Sequence, residues 1–342
     1  MLANAVGRIT VEGNSIVCSQ FDAGSNIAQS AALLINFGPL TAVDDLRVDN
    51  NDFQAMGVDS LVLGTPFWSA VAFVGAPDVA TPGTLRRHSF CGNKVHLPTF
   101  GTSLVNNPGA VIYSLNGWGV EGAQISDNTL SSYNTGAELG PGLLFYLDGT
   151  GYAGSKVCSG LSVRENNSFG AIAVVCKDTE ANNIAIDSNK VELESAVGTW
   201  NQSVYFDQSG SGTVDLVKIT SNQIKGGKDG IKVFFGDANV QQLRITDNDI
   251  HDVGVDGTGS GIDLQYGSAP AANVSAIDTL IQGNTVRDAE GVGIKVASSR
   301  YVIVNLSVDG NAVDRGQGQG IKVKVGGETN GALRNVVGVS VD

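Results

Sequence analysis

The feature that most constrains this chain is a short pattern, apolar-x-x-Asn-x-apolar, that returns along its whole length. It runs from Val11 to Ile16, Val48 to Phe53, Phe90 to Val95, Ile125 to Leu130, Ile186 to Val191, Ile219 to Ile224, Ile245 to Ile250, Ile281 to Val286 and Val308 to Val313. A further copy, Val163 to Phe169, carries one extra residue. The repeated side chains are thus Asn14, Asn51, Asn93, Asn128, Asn166, Asn189, Asn222, Asn248, Asn284 and Asn311. Their spacing is irregular but falls mostly within the roughly 20 to 50 residues of stacked-repeat architectures. No break in the series marks a domain boundary, so a single domain over residues 1–342 is expected.

A second element follows each Asn after a variable gap: "GPGLLFYLDG", "GAIAVVCK", "DGIKVFFGD", "GSGIDLQYG", "GVGIKVASS" and "GQGIKVKVG". These are alternating runs rich in Ile and Val and opened by Gly, the mark of half-buried strands. Each repeat then holds three short strands: one ending before the Asn, one starting after it, and the Gly-led one. Coiled so that each strand pairs in parallel with its counterpart one turn away, they bury a column of apolar side chains. The Asn is expected at the sharp bend between two strands, in a left-handed conformation that Asn tolerates better than β-branched residues. Stacked about 4.8 Å apart, its amides can hydrogen-bond along the column.

Composition agrees with this and narrows the partners. The 45 Gly against 8 Pro describe many tight turns rather than helices. A formal net charge of -13 argues against nucleic acid or an anionic membrane surface, which are bound through Lys and Arg clusters. No apolar run reaches the roughly 18 residues of a membrane-spanning helix, and "MLANAVGRITVEGNSIVCSQ" reads as strand rather than signal peptide. Cys18, Cys91, Cys158 and Cys176 lack metal-ligand spacing and are expected as buried free thiols. No cofactor is expected; the acidic turns "HDVGVDG" and "VRDAEG" lack a recognised calcium-ligand spacing.

The repeated Asn turn with its "GxGIxV" strand resembles the right-handed parallel β-helix superfamily of pectate lyases, polygalacturonases, alginate epimerases and phage tailspikes. The resemblance covers nearly the whole chain. It implies an all-β, single-stranded right-handed solenoid of about 10 to 12 turns, near 50 Å long at the interstrand spacing. It also implies polysaccharide binding on the face that corresponds here to "GIDL". The "DPHD"-type epimerase signature is absent, as is the Gly-Asp-rich capping segment of many tailspikes, and the chain stops at "VVGVSVD". The expectation is therefore a piece of a longer chain, or ends covered by partners.

Period-two alternation places the candidate chemistry. With Val204, Ile231, Ile262, Ile294 and Ile321 inward, the first outward column is Tyr205, Lys232, Asp263, Lys295, Lys322. The next is Asp207, Phe234, Gln265, Ala297, Lys324. Asp207 and Asp263 are the candidate carboxyl pair for glycoside hydrolysis, far enough apart to suit only inversion. Lys232 as base with Tyr205 as proton donor is the candidate pair for elimination at a uronic acid. Lys295 and Lys322, side by side, are candidates for binding acidic sugars, although a plain solvating charge ladder explains the same column. Loop aromatics Trp68, Trp118, Tyr152 and Tyr266, with Trp200 from the opposite loop row, are expected to line the face as stacking platforms or as a subunit contact.

The resulting expectation is a carbohydrate-recognising β-helix protein of tailspike type, extracellular or virion-associated and homotrimeric. Whether it is an enzyme, a hydrolase or a lyase, stays open. The alternative is a non-catalytic virion or surface component, or an adhesin, on the same scaffold.

Overall fold

The computed structural model describes residues 5–18, 32–37, 40–55, 69–75, 83–97, 109–132, 140–152, 156–194, 201–254, 257–267, 274–298, 301–325 and 336–341. Among these residues every regular element is a strand, and the strands form two large sheets of 23 and 10 strands. Pairing is parallel from one repeat to the next throughout. The smaller sheet contains only the strands that follow an Asn, from Ser15–Cys18 and Asp52–Ala55 through Thr285–Arg287 and Ala312–Asp314, in chain order. The larger holds the strands before the Asn and the Gly-led ones. Sheets of this kind fit a β-solenoid.

All ten Asn side chains stand in one hydrogen-bonded column. In the middle of it, Asn222 Oδ1 accepts from the backbone N and the Nδ2 of Asn189, both at 3.0 Å. Its Nδ2 donates to Ile186 O at 3.0 Å and to Asn248 Oδ1 at 2.9 Å. The same two-acceptor, two-donor arrangement recurs at each member from Asn51 to Asn284, and Asn14 and Asn311 close the two ends of the column. From Asn51 onward the Nδ2 also reaches the carbonyl of the first apolar residue of the preceding repeat's pattern, for example Val48 for Asn93 and Ile245 for Asn284. One amide thus uses both of its N–H groups and both carbonyl lone pairs, which explains why the position is Asn and not Asp or Gln.

The backbone detail corrects the sequence expectation. The left-handed residue at this bend is the one before the Asn: Gly13, Asn50, Gly92, Asp127, Glu165, Ser188, Ser221, Asp247, Gly283 and Gly310, with φ between 55° and 68°. The ladder Asn is therefore selected for its amide, and its neighbour carries the conformational cost.

The inward assignment of the Gly-led strands holds. Val204, Ile231, Ile262 and Ile294 are fully buried and stack in register, with Ile321 half-buried next in line. The Gly before the Ile has a steric reason. A Cβ on Gly230 would run into Ile250, on Gly261 into Val286, and on Gly293 into Val313, the apolar side chains just past the Asn bend. Large rings fill wider parts of the core: Phe73 and Tyr113 stack with centroids 4.3 Å apart, and Tyr113 meets Phe145 at 4.8 Å. Cys158 and Cys176 are free and buried, Cys91 is free and half-buried, and the side chain of Cys18 lies outside the described residues.

Candidate functional site

The two outward columns form as the alternation requires. Tyr205 pairs with Lys232, Lys232 with Asp263, Asp263 with Lys295 and Lys295 with Lys322; beside them run Asp207, Phe234, Gln265, Ala297 and Lys324. The structure thus brings Tyr205, Asp207, Lys232, Asp263 and Lys295 together on four consecutive repeats of one sheet face. Lys322 is exposed at the far end of the column.

Within the cluster the polar groups engage one another. Tyr205 donates its hydroxyl to Asp207 Oδ2 at 2.7 Å. Gln265 Nε2 donates to Asp263 Oδ2 at 2.6 Å, and Lys295 Nζ lies 3.2 Å from Asp263 Oδ1. Burial raises the Asp207 carboxyl above its ordinary value; hydrogen bonds from Tyr205 and Ser209 and the charge of Lys232 pull the other way without cancelling it. Burial, reinforced by the Asp207 charge, raises the Tyr205 phenol well beyond its usual range, so Tyr205 keeps its proton and can only donate it.

A third carboxyl belongs to this site. Asp229 lies opposite Gln202 at the start of its strand and accepts the backbone N–H of Ser260 at 2.9 Å. It is 4% exposed. Burial raises its carboxyl, the Ser260 hydrogen bond lowers it, and the charge of Asp263 raises it further. The signal was present in the sequence: of the residues directly before the Gly-Ile pairs, Asp229, Ser260, Val292 and Gln319, only one is acidic.

This third group adds a second candidate carboxyl pair. Asp207 and Asp263 are two repeats apart and offset by two residues, and Asp229 and Asp263 one repeat apart and offset by three, so at about 4.8 Å per repeat and about 3.3 Å per residue both pairs stand near or beyond the upper end of the roughly 5 to 9.5 Å that brackets a glycosidic bond. Asp229 and Asp263 sit on adjacent repeats, close enough for one charge to act on the other.

The aromatic residues require correction. Trp118 is fully buried: its ring lies against Gly75 and Gly83, where a Cβ would collide with it, and beside Phe37 at a centroid distance of 4.9 Å. Tyr266 is also interior, stacked on Phe235 with its hydroxyl 2.6 Å from Thr279 Oγ1. Neither presents a face to a sugar. Tyr152 is half-buried with its ring over Gly117. Trp68 and Trp200 lie outside the described residues.

Upstream of Tyr205 the same outward face changes character. Ile112, Leu144, Ala173 and Val175 form a separate buried apolar cluster, against which Tyr146 and Tyr205 pack. His88 is inside the core: its Nδ1 lies 2.9 Å from Leu46 O and its Nε2 2.7 Å from the Tyr113 hydroxyl. Burial lowers its imidazole to about 4. Among the described residues no group of three or more His, Cys, Asp and Glu side chains is placed to hold a metal ion. No protein-family model, curated protein or solved structure matches the chain.

Proposed function

We propose that the chain is a right-handed parallel β-helix, three short strands to the turn, that recognises polysaccharide on the downstream half of its Gly-led face. The observation that carries this reading is the cluster of Asp207 and Asp263 with Tyr205, Lys232 and Lys295 on one outward sheet face, with buried Asp229 close enough to Asp263 for its charge to act. Solvated surface carboxylates have no need of burial, and the raised carboxyls of Asp207 and Asp229 beside outward polar side chains are what binding and catalytic sites commonly show. The fuller form of the proposal is a tailspike-like homotrimer, extracellular or virion-associated.

Depolymerisation is the further step. In hydrolysis, Asp229 with its raised pKa acts as the acid that protonates the leaving oxygen, and Asp263, ion-paired to Lys295, activates water. Asp207 holds the neighbouring sugar. In elimination, Tyr205 is the proton donor and Lys232 the base. Incubation with a broad polysaccharide panel, followed by product analysis, tests both. Loss of product with retained binding in Asp229→Asn and Asp263→Asn supports hydrolysis; unsaturated, ultraviolet-absorbing products that vanish in Lys232→Ala support elimination.

The burial of Trp118 and Tyr266 favours the second reading, a non-catalytic structural component, because it removes two of the stacking platforms. A panel giving neither binding nor cleavage would replace the first reading with it.

A further inference from the structure

Two of the chain's four cysteines occupy facing inward places at one corner of the coil. The strand Ala171–Lys177 has Cys176 as its last buried residue; the chain then turns at Asp178 and Thr179, and the strand Glu180–Asp187 opens with Ala181 as its first buried residue. Cys158 holds the place of Ala181 one repeat upstream, directly opposite it in parallel register. Cys176 in turn stands opposite Leu147 of that upstream repeat. The two side chains therefore meet diagonally across the corner, and the Cys158 thiol is hydrogen-bonded to that of Cys176. Both are free and fully buried.

Packing alone does not ask for sulfur here. In the column of Cys176 the upstream repeats carry Leu115 and Leu147; in that of Cys158 the neighbours are Val120, Ala181 and Val214. An apolar side chain of small or medium size fills these places. A thiol is only a weak hydrogen-bonding group, whereas two adjacent thiols can join covalently. The hydrogen bond to Cys176, together with burial, raises the Cys158 thiol well above its ordinary value, so in the closed core it stays protonated and unreactive.

We propose that Cys158 and Cys176 are a disulfide-forming pair that staples two adjacent repeats in an oxidising medium. The co-reactant is a low-molecular-weight disulfide. When the corner opens, one protein thiolate attacks it, forms a mixed disulfide and expels one small thiol; the second protein thiolate attacks the cysteine sulfur of the mixed disulfide and expels the other. Two protein thiols are oxidised, one small disulfide is reduced to two thiols, and the protons lost by the cysteines end on them. The closed loop is roughly 18 residues, so the staple restricts the unfolded chain while it ties the repeats together. Tyr205 and Asp207 pair with the strand that carries Cys176, so the staple lies at the upstream edge of the polar column.

The test is incubation of the whole chain with oxidised and reduced glutathione in urea just below its unfolding midpoint, followed by alkylation, peptide mapping by mass spectrometry and urea unfolding. The expected product is a linked Cys158–Cys176 peptide pair that is lost on treatment with dithiothreitol. Its formation should move the midpoint upward, with the ratio of unfolded to folded protein roughly 100-fold lower. Cys158→Ala and Cys176→Ala should each unfold at one midpoint in oxidising and reducing buffer alike; wild type compared between the two buffers gives the result even where a variant folds poorly. The proposal is overturned by the absence of a protein disulfide, by a bridge to Cys18 or Cys91 instead, or by an oxidised midpoint no higher than the reduced one. A redox-dependent midpoint that survives in Cys158→Ala overturns it as well.

Discussion

Replacing Asn222 by Ala should be among the most damaging single changes in this protein, although it deletes only a small polar group. Asn222 is fully buried, and its amide makes four hydrogen bonds. Its own backbone N–H still reaches Asn248 Oδ1 in the variant. The backbone N–H of Asn189, one of the two Asn189 Nδ2 protons and the carbonyl of Ile186 lose their partners. Leaving a buried polar group unsatisfied costs about 1 to 3 kcal/mol each, so the sum is roughly 3 to 9 kcal/mol before any relaxation or water entry. A loss of about 4 kcal/mol or more is expected.

Position in the column supplies the internal control. Asn14 stands at the upstream end and is exposed, and its Nδ2 bonds reach only Glu12 O and Asn51 Oδ1. Asn14→Ala should cost about 1 kcal/mol, the net worth of an ordinary hydrogen bond. The measurement is equilibrium urea unfolding followed by far-ultraviolet circular dichroism, with the free energy taken from midpoint and slope. An Asn222→Ala protein within about 1 kcal/mol of wild type, or an Asn14→Ala protein equally destabilised, would refute the ladder's energetic role and leave it a mere by-product of stacking.

Three further outcomes follow from the core. His88 stays neutral in the folded protein down to about 4 while its unfolded counterpart protonates near 6.5, so stability should be complete above that pH and decline between pH 6.5 and 4 by up to about 3 kcal/mol. His88→Gln should flatten that part of the stability profile, and an unchanged profile rules the residue out. Gly261→Ala should destabilise by about 1 to 3 kcal/mol or more through its clashes with Val286 and with the Gly293 carbonyl, and Val286→Ala in the same chain should recover only the side-chain part; a protein as stable as wild type would contradict the steric account. Trp118→Ala should cost about 3 to 5 kcal/mol by opening a cavity yet leave glycan affinity unchanged in protein kept below its melting point, and a selective affinity loss in that variant would reinstate the ring as a binding group.

What could be read from the sequence divides along physical lines. The ladder was legible because one amide must satisfy the same four bonds in every repeat, which leaves no alternative residue and so a visible pattern. The left-handed residue before it was less visible because Gly, Asn, Asp, Ser and once Glu all occupy that position. The conformational demand is met by several residue types, so no single letter recurs. Tyr266 belongs to the strand and not to the loop after it; it lies two residues beyond Leu264 and four beyond Ile262, on the same inward parity. Trp118 is different in kind. It follows Gly117, whose positive φ resets the alternation, and its space is made by Gly75 and Gly83 on an earlier repeat. Nothing local to "NGWGVEG" encodes that vacancy.

The same reasoning locates where function can vary in this architecture. Inward columns are fixed by packing and the Asn column by hydrogen bonding, so a substitution there is paid for in stability. Outward columns carry no such constraint, and one of them passes from Ala72, Ile112, Leu144 and Ala173 to Tyr205, Lys232, Asp263 and Lys295 without any change in strand pairing. The scaffold is indifferent to that change. A run of carboxyls and lysines that begins at one repeat is not required by the strand pairing, and burying the Asp229 and Asp263 carboxyls carries a desolvation cost. Substituting both by Asn should then leave the protein as stable as wild type or more stable, because an uncharged amide is cheaper to bury than a carboxylate, while any binding on that face is lost. A double variant that is strongly destabilised would instead assign the two carboxyls to the architecture.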